Sequence, residues 1–209
     1  MTHLFAALLT GLCGYLLGSI SFAIIVSKTL YHQDVRDFGS GNAGMTNVLR
    51  VYGKKPAALT LVGDFLKGVV AVVLGRMIYK WLAVTGSDGA YVAGLCTLLG
   101  HLYPVYFGFR GGKGILTAVG IIAVVEPVTF LCLLLIGLPL MFVTRIVSVG
   151  SIVGAACYPV LTLVFDHFTG GISWMNFIFA LIMAALVIWM HRANIKRLLN
   201  GTENRFGKK

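Results

Sequence analysis

Charge is scarce in this chain. Only 11% of its 209 residues are Asp, Glu, Lys or Arg, and the acids number seven against 17 bases. With 58% hydrophobic residues and a mean hydropathy of +0.90, so much apolar surface cannot be hidden in one water-soluble core. Lipid must be the solvent for most of it. The four cysteines, Cys13, Cys96, Cys132 and Cys157, stand alone in apolar runs with no paired spacing, which argues against a disulfide frame, a metal site or a redox motif. The opening Met-Thr-His lacks a basic segment and the apolar run after it is too long for a signal peptide, so that run is read as a helix. There is no soluble domain, low-complexity linker or long repeat, and residues 1–209 read as one membrane domain. The net charge of +10 comes with no basic stripe or base-stacking array, so nucleic acid is not an expected partner.

What is present is a series of apolar runs, at roughly 4–27, 57–80, 90–106, 114–125, 127–144, 146–165 and 174–190. Several approach the roughly 20 residues a spanning helix needs. The fourth stops at Glu126 and Pro127 and reads as a short or tilted helix. The expected fold is an all-α integral membrane protein of about seven transmembrane helices. If they alternate, 14 of the 17 Lys and Arg fall on one side, in the first long connection, around Arg110 and Lys113, at Arg145, and in the tail to Lys209. The positive-inside rule then puts the N-terminus outside and the C-terminus in the cytoplasm.

The unusual polar residues collect on that same side. In GSGNAGMTNVLR, the glycines at 39, 41 and 44 permit positive backbone dihedrals, so successive N–H groups can line one concavity. Ser40, Asn42, Thr46 and Asn47 add neutral donors, and Arg50 a permanently charged clamp, above all if Met45 to Arg50 opens a helix. A second cluster, GHLYPVYFGFRGGKG, surrounds Lys113 with Gly111, Gly112 and Gly114 and carries His101, a candidate base, acid or phosphate donor. It lacks the GxxxxGK[ST] spacing of an ATP loop. The third is the tail, HRANIKRLLNGTENRFGKK, in which Arg192 and Lys196 share a helix face and Lys208 and Lys209 suit anionic headgroups. Asp64 and Lys67, about one turn apart inside the second run, face either a polar cavity or each other as a packing ion pair. Ser148 and Ser151 lie beside a GxxxG and serve either the site or close helix packing.

Three basic clusters exceed the needs of one phosphate and suit two, in a recess that joins a soluble phosphate ester to a fatty acyl group. No GxSxG and no HxxxxD occurs, so neither a marked nucleophile nor the usual acid–base pair of soluble acyltransferases is available. An activated acyl phosphate relieves the protein of that burden. Its phosphate leaves readily, and a second pKa near about 6 lets it take a proton.

These motifs, with DFLKG and SVGSI in order between them, closely resemble the bacterial acyl-phosphate-dependent glycerol-3-phosphate acyltransferases from end to end. The resemblance implies a seven-helix enzyme of phospholipid synthesis in the bacterial cytoplasmic membrane, its site facing the cytoplasm. It implies acyl transfer from acyl phosphate to the 1-hydroxyl of sn-glycerol 3-phosphate, giving 1-acylglycerol 3-phosphate and inorganic phosphate, with no metal or cofactor and no acyl-CoA or carrier protein as direct donor. Expected partners are the two substrates and membrane lipid. Carried over by position, His101, His191, Lys113 and Asn194 form the expected catalytic set. Ser40, Gly41, Asn42, Gly44, Thr46, Asn47, Arg50, Lys67, Gly111, Gly112, Gly114, Ser148, Ser151, Arg192 and Arg197 form the expected substrate-binding set. Met45, Arg110, Met190 and Ala193 depart from residues common in the family, and Ala193 weakens any acid–base role for a glutamate there. A transporter of phosphate esters is the alternative from another class. It predicts polar residues continuing to the outer side and internal symmetry, and neither is visible.

Overall fold

The computed structural model describes residues 1–206, so Lys208 and Lys209 and their expected contact with headgroups lie outside the described residues. Every apolar run is helical, and among the described residues there is no strand. The first run divides into α1 (Thr2–Gly18) and α2 (Phe22–Tyr31). After them come α3 (Met45–Tyr52), α4 (Lys54–Trp81), α5 (Gly89–Leu102) and α6 (Ile115–Val125). The remainder is α7 (Pro127–Thr144), α8 (Val147–Thr169), α9 (Trp174–Met190) and α10 (Arg192–Leu199).

Among the described residues, five stretches are long and apolar enough to cross a membrane: residues 2–31, 54–81, 89–107, 127–144 and 147–169. A sixth is added if α9 and α10, bent by 59°, count as one span. The fourth apolar run, α6, has eleven residues and reaches only about 16 Å at 1.5 Å per residue, half a hydrocarbon core. Glu126 stops it, and Pro127 then occupies the first turn of α7, where its missing N–H costs nothing. The chain is thus an all-helical, multi-pass membrane protein.

The helices form two compact units, Met1–Val125 and the chain from Glu126 onward. In the first, α1 packs on α5, and α4 packs on α5 and α6. Lipid tails give helices no hydrophobic reason to associate, so close backbone approach between small residues must supply the contact. A Cβ on Gly18 would strike the Thr97 carbonyl, and one on Gly100 the Tyr15 carbonyl, at the α1–α5 crossing. In the second unit α8 packs on α7 and α9, and a Cβ on Gly150 would strike the carbonyl of Gly137 on α7. Its GxxxG partner Gly154 meets nothing within 4 Å. Glu126 joins α7 to α8 by accepting hydrogen bonds from Thr129 and Tyr158 at 2.9 Å and Thr162 at 2.8 Å.

Candidate functional site

In the first unit, the glycine-rich segment before α3 is a folded loop with its own apolar floor. Val35, Ala43 and Val48 are buried with Ala23 and Ile24 of α2 and Ala57 of α4. Gly39 and Gly41 have φ of 62° and 68°, where side chains are strained, and a Cβ on Gly39 would also collide with Asn47 Oδ1. Asn47 is the loop's brace. Its Nδ2 donates to the carbonyls of Val35 and Phe38 at 3.0 Å, while Oδ1 accepts from Ser40 N at 2.9 Å and Arg50 Nη1 at 3.2 Å. Asn47 is 2% exposed, whereas Ser40, Gly41 and Arg50 are exposed and Asn42, Gly44 and Thr46 half-buried. Gly44, in extended conformation at the N-cap, opens α3, and no side chain caps its first turn.

Behind the loop, the last turn of α5 carries His101, which is 4% exposed. Its Nδ1 lies 2.9 Å from Lys67 Nζ, and an ammonium can only donate, so Nδ1 accepts and the proton of the neutral ring sits on Nε2. Lys67 also donates to the carbonyls of Gly18 at 2.9 Å and Ile20 at 2.7 Å, which the break between α1 and α2 leaves without helical partners. Its three N–H groups are thereby engaged within the protein. Asp64 Oδ1 sits 3.0 Å from the same nitrogen in poor hydrogen-bond geometry, a Coulombic contact that balances the buried charge. Lys67 thus reaches His101 but has no N–H left to give a substrate directly.

The second glycine cluster turns back onto this group. The amides of Gly111 and Gly112 donate to the carbonyls of Leu102 and His101 at 3.2 Å, so these two N–H groups cap α5 and do not line an open concavity. A Cβ on Gly112 would collide with His101 Nε2 and the Ala43 carbonyl, so only glycine lets the ring lie between the two loops. Gly114 is buried with φ of 84°, and Lys113 between them is half-buried. An unexpected brace holds this loop to the turn after α2. Arg36 Nη1 donates to the carbonyls of Phe107 at 2.7 Å and Arg110 at 2.9 Å, while its Nε and Nη2 form a bidentate pair with Asp34 at 2.9 and 2.8 Å. The hydrogen bonds from Arg36, opposed by partial burial, lower the Asp34 pKa to about 2.

In the second unit, three predicted residues converge on a fourth that the sequence reading left without a role. Glu203 Oε1 accepts from Ser148 Oγ at 2.9 Å and Asn194 Nδ2 at 2.6 Å, and Oε2 accepts from Arg197 Nε at 2.6 Å. Burial raises the Glu203 pKa, but the bonds from Arg197, Asn194 and Ser148 outweigh it and hold the carboxyl below its ordinary value. His191 is buried at the α9–α10 bend with Nδ1 2.8 Å from the Val187 carbonyl, which can only accept. Its neutral ring therefore keeps the lone pair on Nε2, the opposite tautomer to His101. Arg192 is exposed, donates to the Trp189 carbonyl at 3.1 Å and lies 5.0 Å over that indole. Ser151 donates to the Val147 carbonyl one turn back at 3.0 Å and stands apart from Glu203.

The first unit thus brings together Asn47 with Ser40 and Arg50, and His101 with Lys67 and Gly112. The second brings together Ser148, Asn194 and Arg197. Asp34, Arg36 and Glu203 are the supporting residues that sequence reasoning missed. The available signals were small: an acid two residues before an arginine in a turn, and the lone acid of an otherwise basic tail.

Residues 8–201 match the family described as glycerol-3-phosphate acyltransferase. The chain is 45% identical over 203 residues to a glycerol-3-phosphate acyltransferase of Thermoanaerobacter sp. (strain X514), covering 97% of each protein. It is also similar to crystal structures of PlsY (YgiH), an integral membrane glycerol 3-phosphate acyltransferase. The glycerol 3-phosphate form superposes with a TM-score of 0.82 at 38% identity over 96% of each chain. The lysophosphatidic acid form superposes with a TM-score of 0.78 at 37% identity over 96% of this chain and 95% of that one.

Proposed function

Because the chain belongs to the glycerol-3-phosphate acyltransferase family, we propose that it moves a fatty acyl group from an acyl phosphate to the 1-hydroxyl of sn-glycerol 3-phosphate. The products are 1-acyl-sn-glycerol 3-phosphate and inorganic phosphate, and the place is the cytoplasmic face of the bacterial inner membrane. The observation that carries the reading is near-complete correspondence to the glycerol 3-phosphate and lysophosphatidic acid forms of PlsY. The first is the substrate, and the second the product, of one acylation.

Each phosphate has a cluster whose chemistry suits it. The loop before α3 offers Ser40, Asn42, Thr46, Arg50 and the uncapped first turn of α3, with Lys113 on the second loop. The uncapped helix turn, the neutral side-chain donors and the two cations together fit the terminal phosphate of an acyl phosphate. Ser148, His191, Asn194, Arg192 and Arg197 combine donors with acceptors, as a phosphate ester bearing two hydroxyls requires. Gly41, Gly44, Gly111, Gly112 and Gly114 shape the loops, Asn47 and Lys67 hold their neighbours, and Ser151 bonds back to its own helix.

The glycerol O1 attacks the acyl carbonyl, the bond from that carbon to the phosphate oxygen breaks, and the hydroxyl proton passes to the departing phosphate. No side-chain nucleophile is required, so catalysis rests on alignment and on donors facing the developing charge. His101, with its proton on Nε2, is a donor. If a side chain assists in taking the proton, His191, whose Nδ1 is held by the Val187 carbonyl, is the candidate.

The test is phosphate release by purified protein supplied with palmitoyl phosphate and glycerol 3-phosphate, with palmitoyl-CoA as the competing donor. Release that depends on glycerol 3-phosphate and yields lysophosphatidic acid supports the reading. Product from the CoA donor alone removes the acyl-phosphate assignment, and no product from either donor, with folded protein, removes the acyltransferase.

A further inference from the structure

Glu203 does not belong to any helix, yet its carboxylate accepts three side-chain hydrogen bonds. Its side chain is 6% exposed and receives hydrogen bonds from Ser148 at the start of α8 and from Asn194 and Arg197 on α10. Ser148 and Asn194 are themselves 5% and 4% exposed, so without the carboxylate two buried donors would lack these bonds. The segment is fixed on both sides. Thr202 N donates to the Arg197 carbonyl at 2.8 Å, and Phe206 N donates to the carbonyl of Arg145, at the turn between α7 and α8, at 2.9 Å. Phe206 also meets Phe142 of α7 edge to face, with ring centroids 6.3 Å apart.

A carboxylate on three donors could occupy a substrate's place or hold the donors ready for the substrate. The geometry favours the second. Glu203 takes only the Nε–H of Arg197 and leaves its Nη groups, which among the described residues have no hydrogen-bond partner. The outer edge of a guanidinium is the part that binds a phosphate bidentately. Ser148 keeps its lone pairs for a hydroxyl after donating its proton.

Resting on the proposed acyl transfer, we infer that Glu203 is a positioning residue for glycerol 3-phosphate: it straps the chain beyond α10 to α8 and fixes Ser148, Asn194 and Arg197 in the orientation that receives this substrate. It touches the donors and not the reacting atoms. It therefore acts on affinity for one substrate more than on the chemical step, and it acts through Arg197.

The experiment uses the full chain in lipid nanodiscs, with steady-state kinetics varied separately in glycerol 3-phosphate and palmitoyl phosphate, for wild type, Glu203→Gln, Arg197→Ala and the double variant. Glutamine keeps the size and one acceptor but cannot accept from Arg197 with its nitrogen. Losing one charge-assisted bond should raise KM for glycerol 3-phosphate roughly tenfold or more, with smaller changes in kcat and in KM for palmitoyl phosphate. The double variant should then be no worse than Arg197→Ala alone. Glu203→Asp, which keeps the charge but withdraws it from at least one donor, should show the same selective rise and serves if the glutamine variant does not fold. A fall in KM would show that the carboxylate competes with substrate. An unchanged KM, equal losses toward both substrates, or additive losses in the double variant would show a structural acid only. Each of these overturns the inference while leaving the functional reading in place. A wild type that makes no lysophosphatidic acid from palmitoyl phosphate removes both.

Discussion

A lysine inside an apolar helix is costly unless something requires its charge. Lys67 is required twice, by the carbonyls exposed where α1 gives way to α2 and by the ring of His101. Removing it leaves those carbonyls and the Asp64 carboxylate unpaired in the interior. Breaking one side of such a buried pair costs roughly 3–5 kcal/mol. Lys67→Met should therefore lower the thermal unfolding midpoint markedly in detergent, and adding Asp64→Asn should recover part of the loss. Two independent, additive losses would remove the proposed pairing. Arg50 presents a different case, because it is exposed and its one bond is to Asn47 Oδ1. Arg50→Ala should leave the unfolding midpoint within a few degrees and raise KM for palmitoyl phosphate about tenfold, the worth of one charge-assisted contact. Unchanged kinetics would take the donor phosphate away from this loop. The presence of both cations at these positions is plain in the sequence, but their different duties are not. The carbonyls that Lys67 serves lie 49 and 47 residues away along the chain, and no local spacing encodes such a partner.

At the scale of elements, the two polar loops of the first unit are held by contacts that a hydropathy profile cannot register. All seven apolar runs were legible because burial in lipid demands long uninterrupted helices. The break at Ser19–Ser21 was not legible, since it contains neither proline nor charge. Gly112 lies between the His101 ring and the Ala43 carbonyl, so Gly112→Ala must push one loop away from the other. Activity should fall more than about tenfold with the helices intact, since small misplacements of positioned groups are costly. A fully active alanine variant would show that this contact does not matter. The Asp34–Arg36 brace gives a prediction about pH. Its carboxyl is depressed to about 2 from an ordinary value of 3.8, so its stabilisation is complete above the ordinary value and disappears as pH falls through the lower one. A decline in activity between about pH 7 and 5 cannot come from this pair. Asp34→Asn should lower activity while leaving the shape of the pH profile above about 5 unchanged. A shifted acid limb would contradict that assignment.

For the whole molecule, charge sets orientation. Fourteen of the 17 basic residues fall in the segments assigned to one side, while Asp88, Glu126 and Asp166 fall on the other with Arg76 and Lys80. The polar loops follow the basic side, and this is why composition and order alone pointed to a site at a membrane surface. What the sequence could not provide was the network among those groups, because Glu203 in a basic tail looks the same whether it is solvated or the centre of three hydrogen bonds. Orientation can be measured directly in vesicles of known sidedness. In a background with Cys13, Cys96, Cys132 and Cys157 replaced by alanine, Ser87→Cys and Thr202→Cys each place one thiol at an exposed position, before α5 and after α10. A membrane-impermeant maleimide should label the first only in right-side-out vesicles and the second only in inverted ones. A site that takes glycerol 3-phosphate from the cytoplasm requires this result, since that substrate is charged and does not cross the hydrocarbon unaided. The reverse pattern would put the glycine-rich loops and the basic tail outside. Labelling of both thiols from one side would change the parity of spans between residues 87 and 202, which would follow if the eleven-residue α6 failed to cross.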